Sequence, residues 1–189
     1  RIADAIYYMI SGRLHAARTA IHRWRLSFTS DDIDIGPTPI LDWKAPFITV
    51  LLQHANDPRV VQDATEPPNA RTLVKHAVLA ADLFGPQAKV LVVLPGLFAE
   101  NQGIAHAIAN EHGDRVRITP SRNAAIAASA AATVITINHP SATVALLAGT
   151  PVVNLGRALY ELAGVTTTTS LEELPVAVQQ ANQSDRPAL

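Results

Sequence analysis

The chain has 189 residues, 48% of them hydrophobic, with a formal net charge of −1 and no cysteine. That length supports one domain with a sizeable core, and no apolar run reaches the length of a membrane span, so a soluble globular protein is expected. Balanced charge argues against a nucleic-acid surface, and the lack of cysteine excludes disulfides and thiol catalysis and fits a reducing cytoplasm.

The first residue is Arg1, with no initiator Met and no signal-peptide pattern, which suggests a piece of a longer chain. Residues 1–28 read as helical. Ile2, Ile6, Met9 and Ile10 lie near one face, and Leu14, Ala17, Ile21 and Trp24 resume the pattern after Ser11-Gly12. Arg13, His15, Arg18, His22, Arg23 and Arg25 make this the most basic stretch, either a solvated face or a contact for phosphate or anionic lipid. Ser30 to Pro39 is polar and turn-forming and reads as a linker.

From Pro46 strands and helices alternate. Phe47 to Leu52 is a buried strand candidate, followed by a polar loop containing Pro58, Glu66, Pro67 and Pro68. Asn69 caps a helix reaching about Phe84, and Lys89 to Leu94 is a near-continuous apolar run of the kind that parallel sheets require. Glu100 to Glu111 forms a helix stopped by Gly113, Arg115 to Thr119 a strand, and Ser121 caps an Ala-rich helix to about Ala132. Thr133 to Ile137, Pro151 to Leu155 and Val165 to Thr168 complete the strands. Between the first two of these, Ser141 precedes a short helix, Ala142 to Ala148, closed by Gly149. Ser170-Leu171-Glu172-Glu173 has a capping-box pattern and opens a last helix to about Gln183. The expected fold is α/β: a Rossmann-like parallel sheet of about six strands with helices on both faces, over residues 46–189, preceded by an N-terminal helical segment and linker over 1–45.

Ligands of such sheets sit at the carboxyl ends of the strands. Asn138, His139 and Ser141 fall there: imidazole can donate to a phosphate or act as acid or base, and a serine before a helix adds a hydroxyl to the helix amides. A turn histidine bonded to local backbone and a simple helix cap are the alternatives. Gly156-Arg157 ends another strand, where glycine permits close approach and arginine pairs with phosphate or carboxylate; it is otherwise a surface arginine near a turn. Ala158 to Leu162 is expected to be a short helix, with Tyr160 packing. Gln53 and Asp57 follow the first sheet strand, and neither Asp57 nor Asp63 is singled out by spacing as acid, base or nucleophile. Arg122, at a helix start, is a further cation candidate. His106 and His112, six apart, do not share a helix face, and His15 and His22, which do, have no carboxylates nearby at ligand spacing, so no metal site is expected. Walker, Gly-x-Gly-x-x-Gly, Gly-x-Ser-x-Gly and His-Glu-x-x-His patterns do not occur, which disfavours nucleotide hydrolases, dinucleotide dehydrogenases, α/β-hydrolases and zincins.

Asn138, Ala145, Leu146, Gly149, Pro151 and Val152, then Leu155, Gly156, Ala158 and Tyr160, then Gly164 and Thr166, follow a known pattern. It reads Asn-Ser-Thr-x-Gly-x-Glu-Ala-Leu-x-x-Gly-x-Pro-Val, Leu-Gly-x-Ala-x-Tyr and Gly-Leu-Thr. On these residues the chain resembles the bacterial capsule polysaccharide biosynthesis family, which includes 3-deoxy-manno-octulosonate (Kdo) transferases. His139 stands where the family has Ser, Ala142 where it has Gly, and Val144 where it has Glu. Leu94-Pro95-Gly96 lies where many such enzymes carry a Lys-x-His-Pro turn.

The resemblance implies the C-terminal half of a two-domain GT-B glycosyltransferase that transfers a sugar, such as Kdo from CMP-Kdo, in capsule or surface polysaccharide synthesis. Asn138, His139 and Ser141 would hold the donor phosphate, and Gly156 and Arg157 the phosphate or the sugar carboxylate. No catalytic residue is assigned, and no cofactor or metal is expected beyond the nucleotide-sugar donor. The expected partners are that donor, a glycan or glycolipid acceptor and a second copy of the chain, in the cytoplasm or peripheral on the inner membrane, without nucleic acid. The departures from the pattern leave a second reading open, a non-catalytic nucleotide-binding or interaction module. A nucleotide-sugar epimerase of the same architecture is a third, and would need a carboxylate pair in the cleft.

Overall fold

The structure, a computed structural model, describes residues 45–55, 57–64, 69–95, 99–161 and 163–183. The expected N-terminal helical segment and most of its linker lie outside the described residues. Six strands run β1 (Phe47–Leu51), β2 (Lys89–Leu94), β3 (Val116–Pro120), β4 (Thr133–Thr136), β5 (Val152–Asn154) and β6 (Thr166–Thr168). All five pairings are parallel, and the order across the sheet is β3-β2-β1-β4-β5-β6. Chain direction across the sheet reverses between β1 and β4, and the crevice at their carboxyl ends is the topological switch point of a Rossmann-like fold.

The helices are α1 (Pro58–Asp63), α2 (Ala70–Asp82), α3 (Ala99–His112), α4 (Ala124–Ala130), α5 (Ala142–Leu147) and α6 (Leu174–Gln183). Every residue of β1 is buried, because helices cover both sides of the central sheet. One core joins Ile48, Val50, Val90, Val92, Ile135 and Val153 to the inner faces of α2 and α6. On α2 that face is Leu73, Val74, Ala77, Ala80 and Ala81, spaced as a helix stripe requires. The opposite core sets Leu51, Leu91, Val93, Val134 and Val152 against Ala124, Ala127 and Ala128 of α4 and Ala142 and Ala145 of α5. Alanine brings these short helices close to the sheet, and Thr49, buried in mid-strand, donates its hydroxyl to the Ala127 carbonyl at 2.9 Å.

Local signals were realised where a single residue type could satisfy the backbone. Asn69 Oδ1 accepts from the Arg71 amide at 2.9 Å, capping α2. Gly149, with φ +76°, closes α5. Its amide bonds Leu146 O at 3.0 Å and the Thr150 amide bonds Ala145 O at 2.8 Å, the paired pattern of a Schellman motif. Ser170 Oγ accepts from the Glu173 amide at 3.3 Å ahead of α6. Asn182 ties α6 to the start of β4 through the Thr133 hydroxyl.

Three local expectations were overturned. The polar stretch after β1 contains α1, which starts at Pro58 with the Asp57 carbonyl accepting from Val60 and Val61 at 2.9 and 3.0 Å. A proline at a helix's first position forfeits no bond, so Pro58 opens a helix here instead of belonging to the expected loop. Ser121 does not cap the Ala-rich helix: Ser121–Asn123 is a 3₁₀ turn, and α4 begins at Ala124. Asn123 Nδ2 instead reaches back to Thr119 Oγ1 at 2.7 Å. The helix expected from Ala158 is a single turn, Glu161 N to Ala158 O at 3.0 Å. Among the described residues no helix is long and apolar enough to cross a membrane.

Candidate functional site

The turn after β4 is the centre of the crevice. Thr136, the last residue of β4, accepts from the His139 amide through Oγ1 at 3.1 Å, so the chain folds back at once over the strand end. His139 Nδ1 accepts from the Ser141 amide at 3.1 Å. The imidazole thus caps the turn in the way an Asx side chain does, and its neutral ring carries its proton on Nε2. Ser141 stands at the cap position of α5 in helical conformation, with no capping bond from its hydroxyl. The first amides of α5 are already used: Ala142, Thr143 and Val144 bond the carbonyls of His139, Pro140 and Ser141 at 3.0, 3.1 and 3.1 Å. The open helix N-terminus expected behind Ser141 is therefore closed, and the polar groups at this turn are side chains.

Asn138 joins three segments. Its amide donates to Gln53 Oε1 at 3.1 Å while Gln53 Nε2 donates to its carbonyl at 3.5 Å, a two-point clasp between the ends of β1 and β4. Its side-chain Nδ2 donates to Asp63 Oδ2 at 2.6 Å. The Asp63 carbonyl in turn accepts from the Arg157 amide at 2.8 Å, beside an antiparallel bridge between Ala64 and Gly156. Gly156 is required there: a Cβ on it would stand 2.3 Å from the Asp63 carbonyl oxygen and 2.9 Å from Ala64 Cα. The loop after β1, the turn after β4 and the end of β5 are thus locked through Asp63. Tyr160, expected to pack, both packs on the α4–α5 core and donates its hydroxyl to the His139 carbonyl at 3.2 Å.

The fold brings Gln53, Asn138, His139, Ser141, Gly156 and Arg157 to the carboxyl ends of the adjacent strands β1, β4 and β5. Arg157 is exposed at the rim, with its backbone fixed by Asp63. Asp57 sits where α1 begins. Arg122 is not part of the group: it follows β3, three strands from β4, which at about 4.8 Å per strand is roughly 14 Å away. The spacing of the sequence left Asp63 undistinguished from Asp57, because its partners Asn138 and Arg157 are far along the chain. Among the described residues no group of three or more His, Cys, Asp or Glu side chains comes together as a metal site would need.

The β-Kdo 2,7 transferase KpsC of Thermosulfurimonas dismutans is similar in structure over 87% of this chain and 52% of its own, with a TM-score of 0.50 and 19% identity. The UDP-GlcNAc 2-epimerase of Methanocaldococcus jannaschii, solved with UDP-GlcNAc and UDP, is similar over 76% of this chain and 40% of its own, with a TM-score of 0.50 and 9% identity. At such identities these likenesses show a shared fold, and the chain spans about half the length of the transferase. No curated protein matches the chain in sequence. The model of one family, described as capsule polysaccharide biosynthesis protein, matches residues 8–186. The chain belongs to the capsule polysaccharide biosynthesis protein family.

Proposed function

We propose that this chain forms the nucleotide-sugar-binding half of a glycosyltransferase of capsule or surface polysaccharide synthesis. The observation that carries the reading is the convergence of Gln53, Asn138, His139, Ser141, Gly156 and Arg157 at the switch point of the sheet in a member of this family. The donor we infer is a CMP-activated acidic sugar such as Kdo, and the acceptor a glycan or glycolipid hydroxyl. In the transfer the bond from the anomeric carbon to the donor phosphate oxygen breaks, a bond to the acceptor oxygen forms, the nucleotide leaves with the bonding pair, and the acceptor's hydroxyl proton passes to solvent. Negative charge builds on the departing phosphate, so groups aimed at it lower the barrier. His139 serves through Nε2–H, Ser141 through its hydroxyl, and Arg157 through a guanidinium suited to phosphate or a sugar carboxylate. Asn138, held by Gln53 and Asp63, keeps the turn that carries the first two in place.

Calorimetric titration with CMP, against UMP, GMP and ADP, tests the reading. Preferential CMP binding that His139→Ala weakens tenfold, about 1.4 kcal/mol, is the expected result. Absence of binding by any nucleotide would refute a donor site in this chain and favour a non-catalytic interaction module.

A further inference from the structure

Asn154, the last residue of β5, is wholly buried, and neither Nδ2 nor Oδ1 of its carboxamide has a hydrogen-bond partner among the described residues. Its register partners are Thr136 on β4 and Thr168 on β6, so three polar side chains stand in a row on the α4–α5 face of the sheet. The outer two are engaged: Thr136 Oγ1 accepts from the His139 amide at 3.1 Å, and Thr168 Oγ1 donates to Glu161 Oε1 at 2.9 Å. The middle one is not. Arg157–Glu161 forms a strap tied to the segments at both ends of this row, by Tyr160 Oη donating to the His139 carbonyl at 3.2 Å and by Glu161 Oε1 accepting from Thr168. At its crest Leu159 is 100% exposed.

Two adjacent features therefore run against stability. A buried carboxamide has given up water without gaining a partner, and a leucine of the same short segment buries none of its surface. Conflicts of this kind between a residue and its surroundings mark functional or switching sites. We propose that Asn154 is a ligand-contacting residue of the donor site, and that the strap Arg157–Glu161 is the element that moves to admit the ligand. This rests on the donor-site reading above. A neutral carboxamide offers a donor and an acceptor side by side, which matches a ribose hydroxyl or the edge of a pyrimidine rather than a phosphate.

Asn154→Leu and Tyr160→Phe, each measured for thermal stability and for CMP binding by calorimetry, test the proposal. Replacing an unpaired amide by an apolar side chain of similar size leaves the melting temperature unchanged or raises it. The expected result is that outcome together with at least a tenfold loss of CMP affinity. Tyr160→Phe releases one bond that holds the strap down, so CMP binds about five-fold more tightly, and amide exchange across 157–161 quickens. A lower melting temperature or misfolding of Asn154→Leu would show a structural partner for the amide and overturn the proposal. So would wild-type CMP affinity in that variant, or unchanged affinity and exchange in Tyr160→Phe. If the wild-type chain binds CMP while Asn154→Leu binds it equally well, the donor-site reading stands and only this inference falls; if the wild-type chain binds no nucleotide, both fall.

Discussion

Replacing Gly156 by alanine introduces one methyl group at the point where three segments of the crevice meet. Its Cβ would lie 2.3 Å from the Asp63 carbonyl oxygen, 2.9 Å from the Asp63 carbonyl carbon and 2.9 Å from Ala64 Cα. All three are backbone atoms, so no rotamer change relieves the clash, and the end of α1 must retreat by about 1 Å to restore ordinary contact. That retreat breaks the 2.8 Å bond from the Arg157 amide to Asp63 and strains the 2.6 Å bond from Asn138 Nδ2 to its carboxylate. A neutral bond is worth about 1 kcal/mol and one to a charged group about 1.5–3 kcal/mol. Alanine recovers about 0.4–1 kcal/mol by restricting the unfolded chain. The net loss is therefore about 1.5–3.6 kcal/mol, which for a domain of this size lowers the melting temperature by roughly 3–14 °C. Thermal and urea unfolding of Gly156→Ala, Asn138→Ala and the double variant measure it. Because the glycine variant has already weakened the bond to Asn138, the double variant should fall short of the sum by about 1 kcal/mol or more. A melting temperature equal to or above wild type, or strictly additive losses, would refute the locked arrangement around Asp63.

Asp63 can be separated from its charge. Asp63→Asn keeps an acceptor for Asn138 Nδ2 and should retain CMP affinity within about three-fold, whereas Asp63→Leu leaves the amide unpaired and should cost tenfold or more, read by calorimetry. The Arg71 guanidinium, hydrogen-bonded to Glu111 at 2.8 Å, holds that carboxyl below the usual glutamate range. A depressed folded-state value means the pair supports stability above the unfolded value, about 4.3, and loses it as the pH falls through the lower folded value. Glu111→Gln should accordingly flatten the acid limb of the pH–stability curve by the same small amount by which it lowers neutral stability, small because the pair is exposed; an unchanged acid limb would count against the pairing.

The strands were legible because a parallel sheet covered on both faces demands unbroken apolar runs, and Lys89–Leu94 can hardly be anything else. The caps at Asn69 and Gly149 were legible for a related reason: each solves a backbone problem within its own few residues. Ser121 misled because the same residue type serves a cap and a turn equally well, and the choice fell to Asn123, whose partner Thr119 lies on the preceding strand. His139 was placed correctly at a strand end, and the reading of a turn histidine bonded to local backbone holds for Nδ1, which accepts from the Ser141 amide; the donor-phosphate role proposed for it is left to Nε2.

By itself, then, the sequence determined the six strands, the longer helices, the parallel sheet and the family, since each rests on periodicity, local backbone needs or a motif contained in one stretch. The tertiary structure alone decided which polar residues meet. Gln53 and Asn138 are 85 residues apart and Asp63 and Asn138 75 apart, yet each pair is within hydrogen-bonding distance. They meet because β4 is inserted beside β1 rather than after β3, and strand order arises from the packing of the whole sheet, which no local pattern encodes. Asn154 carries the same lesson inverted: its sequence context is an ordinary strand end, and only the fold reveals that it is buried without a partner among the described residues.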